Sequence, residues 1–141
     1  MRVRVPRALL ASTAALLLLA ACGGSSASTT GDSSQAVNYK SSKGLDIAFK
    51  RAGNQVSGIT GSVSMTCGAG DLLTFSFVVP GSLPVTGNTF GGTVNAVISD
   101  SKVRWKIQGT FDANGHAHGT YSEETNVLCS SGLVPWEADP H

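Results

Sequence analysis

Two histidines separated by a single residue, His116 and His118, are the side chains whose type and spacing most directly suggest chemistry. Residues i and i+2 of a β-strand point to the same face, so both imidazoles could reach one metal ion. The further ligands that such a site needs would come from the nearby or loosely placed set Asp112, Glu123, Glu124 and His141. The alternative is a solvent-facing row on a hairpin, and we favour this alternative.

The adjacent acidic residues Glu123 and Glu124 are the next candidates, for acid–base catalysis. Successive strand residues point to opposite faces, so the two carboxyl groups would not share a cleft, and we expect a solvated turn. Trp136 beside Glu137 is expected to be a core residue and not a sugar-stacking platform. The sequence has no Gly-x-Ser-x-Gly motif, and we expect a protein that is not an enzyme and needs no cofactor.

The N-terminal residues have the pattern of a secretory signal peptide. Three arginines are followed by an apolar run over residues 8–21. As a helix, that run would span roughly 21 Å, less than the roughly 30 Å hydrocarbon core of a bilayer. A basic segment, a short apolar run and then small residues predict a signal peptide over residues 1–21.

The end of this run, Leu19-Ala20-Ala21-Cys22, resembles the lipobox of bacterial lipoprotein precursors. The resemblance implies cleavage before Cys22 and a diacylglyceryl thioether on its Sγ atom. It also implies an extracytoplasmic protein anchored to the cell membrane, because two acyl chains provide stable anchoring where one does not. The alternative is ordinary secretion with cleavage after an alanine.

Residues 22–35 form a Gly/Ser/Thr-rich stretch without a large apolar side chain. Such a composition predicts a flexible tether, with a root-mean-square span of roughly 20 Å. Loss of residues 1–21 removes three arginines and no acid, which leaves 7 basic and 9 acidic side chains. The processed chain therefore has no basic excess for nucleic acid or anionic lipid, so the acyl group on Cys22 would provide the membrane contact.

With Cys22 assigned to the lipid by this resemblance, Cys67 and Cys129 remain for one disulfide. Both lie on the inward phase of their predicted strands, which suits a bridge between two layers. Disulfides persist in oxidising compartments, and closing a loop of about 62 residues would stabilise the fold by roughly 4 kcal/mol. Two buried free thiols are the alternative.

From residue 36 onward the apolar residues alternate with polar ones, which is the periodicity of β-strands. The turn signals Gly53-Asn54, Pro80-Gly81 and 112–115 separate the strands. We expect one all-β domain over residues 36–141, a single antiparallel β-sandwich or barrel of about eight short strands. The predicted inward rows include Leu73, Phe75, Phe77 and Val79, and then Phe90, Val94, Ala96 and Ile98.

The length of 141 residues allows one domain with a tail, and the charged fraction of 13% argues against a coiled coil. The globular part resembles small bacterial secreted all-β domains ending in a Cys, a Gly-rich turn and a Trp, here Cys129 to Gly132 and Trp136. Such domains mostly have no assigned activity. We expect a non-catalytic binding or envelope-associated module whose partner is an unknown protein, cell-wall polymer or small molecule.

Two alternatives stay open at this point. One is a carrier that holds a small hydrophobic ligand between its sheets, which depends on an internal volume that a sequence does not give. The other is a small metal-dependent enzyme that uses His116 and His118.

Overall fold

The computed structural model describes residues 35–126 and 128–141, which form ten β-strands. The predicted signal peptide, Cys22 and the tether up to residue 34 lie outside the described residues, as does Val127. Within the described ranges, no helix has the length and apolar character needed to cross a membrane. The strands are β1 (Val37–Gly44), β2 (Asp46–Ala52), β3 (Gln55–Cys67), β4 (Asp71–Val78), β5 (Ser82–Thr86), β6 (Thr89–Ile98), β7 (Ser101–Phe111), β8 (Ala117–Thr125), β9 (Cys129–Ser130) and β10 (Val134–Pro140).

All ten strands belong to one antiparallel sheet that closes on itself. The closure is made by β10, which pairs with β1 on one side and with β8 on the other. The ring runs β1-β2-β3-β5-β6-β7-β8-β10, while β4 and β9 each pair with a part of β3. The predicted all-β antiparallel fold is confirmed, and the pairing arranges it as a closed sheet.

Strands β4 and β5 follow one another along the same side of β3. The first residues of β3, Gln55 to Ser57, pair with β5, and its later residues, Thr60 to Cys67, pair with β4. The chain bends between the two strands at Pro80-Gly81, where Gly81 has a φ of 82° that favours glycine. This bend directs β5 toward β6 and leaves β4 outside the ring.

The interior of the sheet is filled by the alternate residues of each strand. Its largest fully buried side chains are aromatic: Trp105, Trp136, Tyr121 and Phe111. Paired glycines make room for Trp136, because a Cβ at Gly119 would lie 2.6 Å from its Cζ2 atom and one at Gly109 2.8 Å from its Cη2 atom. An eight-stranded closed sheet is just wide enough for side chains to fill it.

The strands define two ends of the domain. We call the end where the chain enters at Val37 the proximal end; there the His141 N–H donates to Asn38 O at 2.8 Å. At the opposite, distal end lie the β3–β4 and β6–β7 turns and the segment after β8. Two backbone hydrogen bonds link these segments, from Gly68 N to Leu128 O (3.2 Å) and from Asn126 N to Lys102 O (3.1 Å).

The predicted disulfide between Cys67 and Cys129 is present, and it lies at the distal end. The two residues face each other directly on β3 and β9, with their Cα atoms 4.1 Å apart. The expectation of a bridge between two layers was wrong in this respect, because the bond joins neighbouring strands of one sheet. It holds the short strand β9 against the last residues of β3.

An open seam separates β4 from β6. Among the described residues, β4 pairs with β3 alone, while β6 pairs with β5 only at its first two residues and with β7 along its length. Phe77 and Val79 are buried as predicted, but Leu73, Phe75 and Ile98 are exposed. The prediction that these three residues lie in the core was wrong, because no neighbouring strand covers the inward rows at the seam.

Candidate functional site

The histidine pair lies at the proximal end, where the β7–β8 turn meets β10. Asp112 Oδ1 shapes this turn by accepting hydrogen bonds from the backbone N–H groups of Asn114 (2.8 Å) and His116 (3.0 Å). His116 Nδ1 donates to the Asp139 carboxylate on β10, and its Nε2 lies 3.9 Å from Glu137 Oε2. The turn is thereby tied to the last strand of the ring.

The contact between His116 and Asp139 shifts the pKa of both side chains. The hydrogen bond to Asp139 raises the pKa of His116, and the nearby carboxylates of Asp112 and Glu137 add to this effect. The hydrogen bond from His116 in turn lowers the pKa of Asp139, as does one from Ser42. The contact between His116 and Asp139 therefore stabilises the fold fully between about pH 4 and about pH 6.5. It is lost as the pH rises through the raised pKa of His116 and as the pH falls through the lowered pKa of Asp139.

A shallow concavity of about 630 Å³ lies beside these residues and includes His116, His118, Glu137 and Lys43 in its lining. His118 is exposed, and its neighbours in the sheet are Thr110 and Glu137. In the part of the chain that the structure describes, no group of three His, Cys, Asp or Glu side chains is placed to hold a metal ion. The candidate ligands Glu123, Glu124 and His141 are not gathered with the two imidazoles into such a group.

Glu123 and Glu124 do not form the expected solvated turn. Glu123 is a buried acidic residue inside the sheet, where its Oε2 accepts a hydrogen bond from the Tyr121 hydroxyl at 2.5 Å. Glu124 points outward and forms an ion pair with Arg104 on β7, also at 2.5 Å. The expectation was wrong for Glu123 because β8 continues to Thr125, so the strand has not ended where the acidic pair stands.

The Tyr121–Glu123 pair is buried on the core side and bonded to Ser131 through the backbone of Glu123. Burial raises the pKa of the Tyr121 phenol, and the hydrogen bond to Glu123 raises it further. The Glu123 backbone N–H donates to Ser131 Oγ at 2.8 Å, and Ser131 N donates back to Glu123 O at 3.0 Å. Glu123 therefore contacts the core through its carboxyl group and the segment between β9 and β10 through its backbone, which is a structural role.

The basic residues Arg104 and Lys106 lie exposed on β7, and the charge of one of them is neutralised by a neighbour. Arg104 forms an ion pair with Glu124 on β8. Lys106 lies opposite Ser122 in the sheet. This outward row therefore offers a weak field for an anionic partner.

The most unusual surface of the domain is apolar and lies at the distal end. Five large apolar side chains, which we call the distal apolar surface, are exposed there: Leu72 (70%), Leu73 (49%), Val97 (67%), Ile98 (49%) and Leu128 (81%). They come from the β3–β4 and β6–β7 hairpins and from the segment after β8. Exposed apolar patches mark interaction sites, and because these residues share one end of the domain, that end is a candidate contact site.

Leu128 adds a second sign of function to this surface. Its φ of 63° places it in the left-handed region, which is unfavourable for a bulky side chain. The backbone is held there by the Gly68 N–H, which donates to Leu128 O, and by the neighbouring disulfided residue Cys129. A strained conformation that exposes an apolar side chain is a feature of binding sites.

Comparison with protein-family models, with curated proteins and with solved structures finds no match to this chain.

Sequence reasoning identified the histidines, the acidic pair and the cysteines, but it missed the distal apolar surface. The residues of β4 were assigned to the core from their alternation. One signal was available: Leu72 and Val78 are large apolar residues on the phase predicted to face solvent.

Proposed function

We propose that this protein is a bacterial lipoprotein that is anchored outside the cell membrane through an acyl group on Cys22. We propose further that it acts as a non-catalytic binding module, with the distal apolar surface as its contact site. The observation that carries this proposal is the opposite placement of two features: the chain enters the domain at the proximal end, while the five residues of the distal apolar surface lie at the distal end.

The dimensions support a contact site that is held away from the membrane. Strand β3 runs from the proximal to the distal end over 13 residues, or roughly 40 Å along the strand. The tether that precedes the domain adds a span of roughly 20 Å. An anchor at Cys22 would therefore leave Leu128 and Ile98 accessible to a partner from outside.

The anchor is tested by the fate of Cys22. The wild-type chain is expressed in a bacterium that is supplied with an alkyne-bearing fatty acid. It is expected to be labelled and to enter the detergent phase on phase separation. Cys22→Ser should abolish both properties, whereas the matched change Ser26→Ala in the same tether should change neither. Equal labelling and partitioning of the Cys22→Ser chain would exclude a lipid on this residue.

The contact site is tested separately by photocrosslinking in cells. A benzophenone side chain at Ile98 of the distal apolar surface is expected to give discrete adducts, whereas one at the exposed proximal residue Lys50 should give none. Leu128→Gly removes a large exposed side chain and relieves an unfavourable φ, so it should weaken the adduct without harming the fold. Equal adducts from both positions would contradict the assignment.

A carrier of a hydrophobic ligand is the second candidate, because Leu73 and Phe75 face inward in phase and are nevertheless exposed at the seam. An apolar ligand would cover them from the open side. Native mass spectrometry of the exported chain, followed by denaturing mass spectrometry, tests this. A carrier retains an extra mass that is lost on denaturation, whereas a bare mass in both measurements favours the contact-site proposal.

A further inference from the structure

We propose that the edge of β4 that no described strand covers binds the β4 strand of a second copy of this chain. The two strands would pair antiparallel about a two-fold axis at Phe75 and join two sheets into one. This inference names the occupant of one part of the distal apolar surface, and in that respect it builds on the proposed function. It does not depend on the acyl anchor.

The hydrogen bonding of β4 shows which backbone groups are free. Val79 N donates to Ile59 O at 2.9 Å, so these opposed residues form a hydrogen-bonded pair between the β4 side and β3. In an antiparallel pair such residues alternate, so Phe77, Phe75 and Leu73 also direct their N–H and C=O groups toward β3. The N–H and C=O groups of the residues between them therefore point away from β3. These residues are Leu72, Thr74, Ser76 and Val78.

A two-fold axis at Phe75 uses every one of these groups. It places Leu72 opposite Val78 of the second copy, and Thr74 opposite Ser76 of the second copy. Each such pair exchanges two backbone hydrogen bonds, so the four pairs formed by two strands make about eight. Phe75 itself becomes a pair without hydrogen bonds, in which the two Cα atoms approach to about 4.5 Å.

The side chains of β4 are symmetric about the same residue. The sequence Leu72-Leu73-Thr74-Phe75-Ser76-Phe77-Val78 has two apolar residues at each end and a hydroxyl residue on each side of Phe75. The two-fold pairing therefore sets apolar against apolar residues and one hydroxyl against another. Aromatic and hydroxyl cross-strand pairs each stabilise a sheet by roughly 0.2–1 kcal/mol. An isologous interface requires this kind of self-complementary surface.

Edge strands are normally guarded against such pairing by charged side chains, prolines or bulges. Strand β4 contains no lysine, arginine or proline, and its register with β3 is regular from Asp71 to Val78. Its one charged residue, Asp71, stands at the end and would lie opposite Val79 of the second copy, so no like charges meet. The edge of β4 therefore lacks the features that keep an edge strand from pairing with another strand.

The N-terminal stretch of the same chain is a poor fit to this edge. After Cys22, residues 23–35 contain Gly, Ser, Thr, Asp, Ala and Gln but no large apolar side chain to oppose Leu72 or Val78. A second copy supplies the matching residues, and membrane anchoring would concentrate such copies in one plane.

Cysteine crosslinking of the full chain tests the register. Phe75→Cys places two thiols opposite each other across the axis, so mild oxidation is expected to give a disulfide-linked dimer. Leu72→Cys is the matched control, because Leu72 is far more exposed than Phe75 (70% against 37%) but its two copies lie apart in the proposed register. Wild-type chain controls for the native cysteines, and a mixture of Leu72→Cys and Val78→Cys chains is expected to crosslink where neither does alone.

Sedimentation of the exported chain carrying Cys22→Ser tests the association without the anchor. The dimer, of twice the chain mass, should be lost in Thr74→Pro, which removes an outward N–H and leaves the β3 pairing intact. Thr74→Val keeps that N–H and should stay dimeric. Three results would overturn the proposal. The first is that the chain with the natural β4 sequence is monomeric at about 0.5 mM, and the second is that Leu72→Cys gives as much dimer as Phe75→Cys. The third is the formation of open-ended oligomers.

Discussion

Removal of one hydroxyl group, by Tyr121→Phe, tests the buried polar pair of the core. The Tyr121 side chain is fully buried, and its hydroxyl donates to Glu123 Oε2 at 2.5 Å. Both residues lie on the inward face of β8, two positions apart. The substitution keeps the ring, which stacks on Phe77 with the centroids 4.5 Å apart, so the packing changes little.

The expected loss of stability follows from what remains after the substitution. A hydrogen bond between neutral groups contributes about 1 kcal/mol, and one to a charged group about 1.5–3 kcal/mol. In Tyr121→Phe the Glu123 carboxyl group stays buried without this donor, so we expect a loss of about 2 kcal/mol in the free energy of unfolding. For a domain of this size, that loss lowers the melting temperature by roughly 8–10 °C.

Urea unfolding of the processed chain, followed by the fluorescence of Trp105 and Trp136, measures this loss. Tyr39→Phe is the matched control, because Tyr39 is the other tyrosine, is also buried and stacks on Phe49. Among the described residues its hydroxyl has no hydrogen-bond partner. Its substitution should cost less than about 0.5 kcal/mol. Equal losses in the two variants would refute the argument that the Tyr121–Glu123 contact stabilises the core.

Three further predictions follow from the described contacts. In His116→Gln the melting temperature should fall most near pH 5–6 and should match wild type well above the raised pKa of His116, which calorimetry against pH would show; a constant difference would contradict the ion-pair argument. Replacing Cys67 and Cys129 together by alanine should cost about 4 kcal/mol for a separation of 62 residues, and unchanged urea unfolding would disprove a stabilising disulfide. Gly109→Ala should lose about 1–3 kcal/mol because its Cβ would lie 2.5 Å from the Phe90 ring, whereas Gly92→Ala meets only the Leu83 side chain at 3.2 Å; similar losses would show that packing is not the cause.

Alternation along the chain predicted most of the core. The apolar residues that alternate along β7, from Val103 to Phe111, are buried, and so are Ala117 and Tyr121 on β8. Alternation reports which residues share a face, and inside a closed sheet that face is covered. At β4 and at the end of β6 the same pattern failed, because burial there depends on a neighbouring strand that is not in place. Periodicity along one strand carries no information about its neighbours.

The candidate site was predictable only where it rests on covalent or local chemistry. Once the lipobox resemblance assigns Cys22 to the lipid, cysteine count and phase predict the Cys67–Cys129 bond, which the structure contains. The partner of His116 was not predicted, because Asp139 is distant in sequence and meets it only through the pairing of β8 with β10. Glu123 was misjudged for a related reason: its burial depends on the Tyr121 hydroxyl, and an acidic residue is otherwise expected at the surface.

The pairing of the first strand with the last has a consequence for how the protein is made. Residues 39–44 of β1 bind residues 136–140 of β10, so the ring closes between the first and the last strand of the described domain. A chain that emerges with its N-terminus first, from a ribosome or through a membrane, exposes the edge of β1 until β10 has appeared. Closure is therefore a step that follows the synthesis of β10, and loss of residues 137–140 would remove most of the pairing that closes the ring.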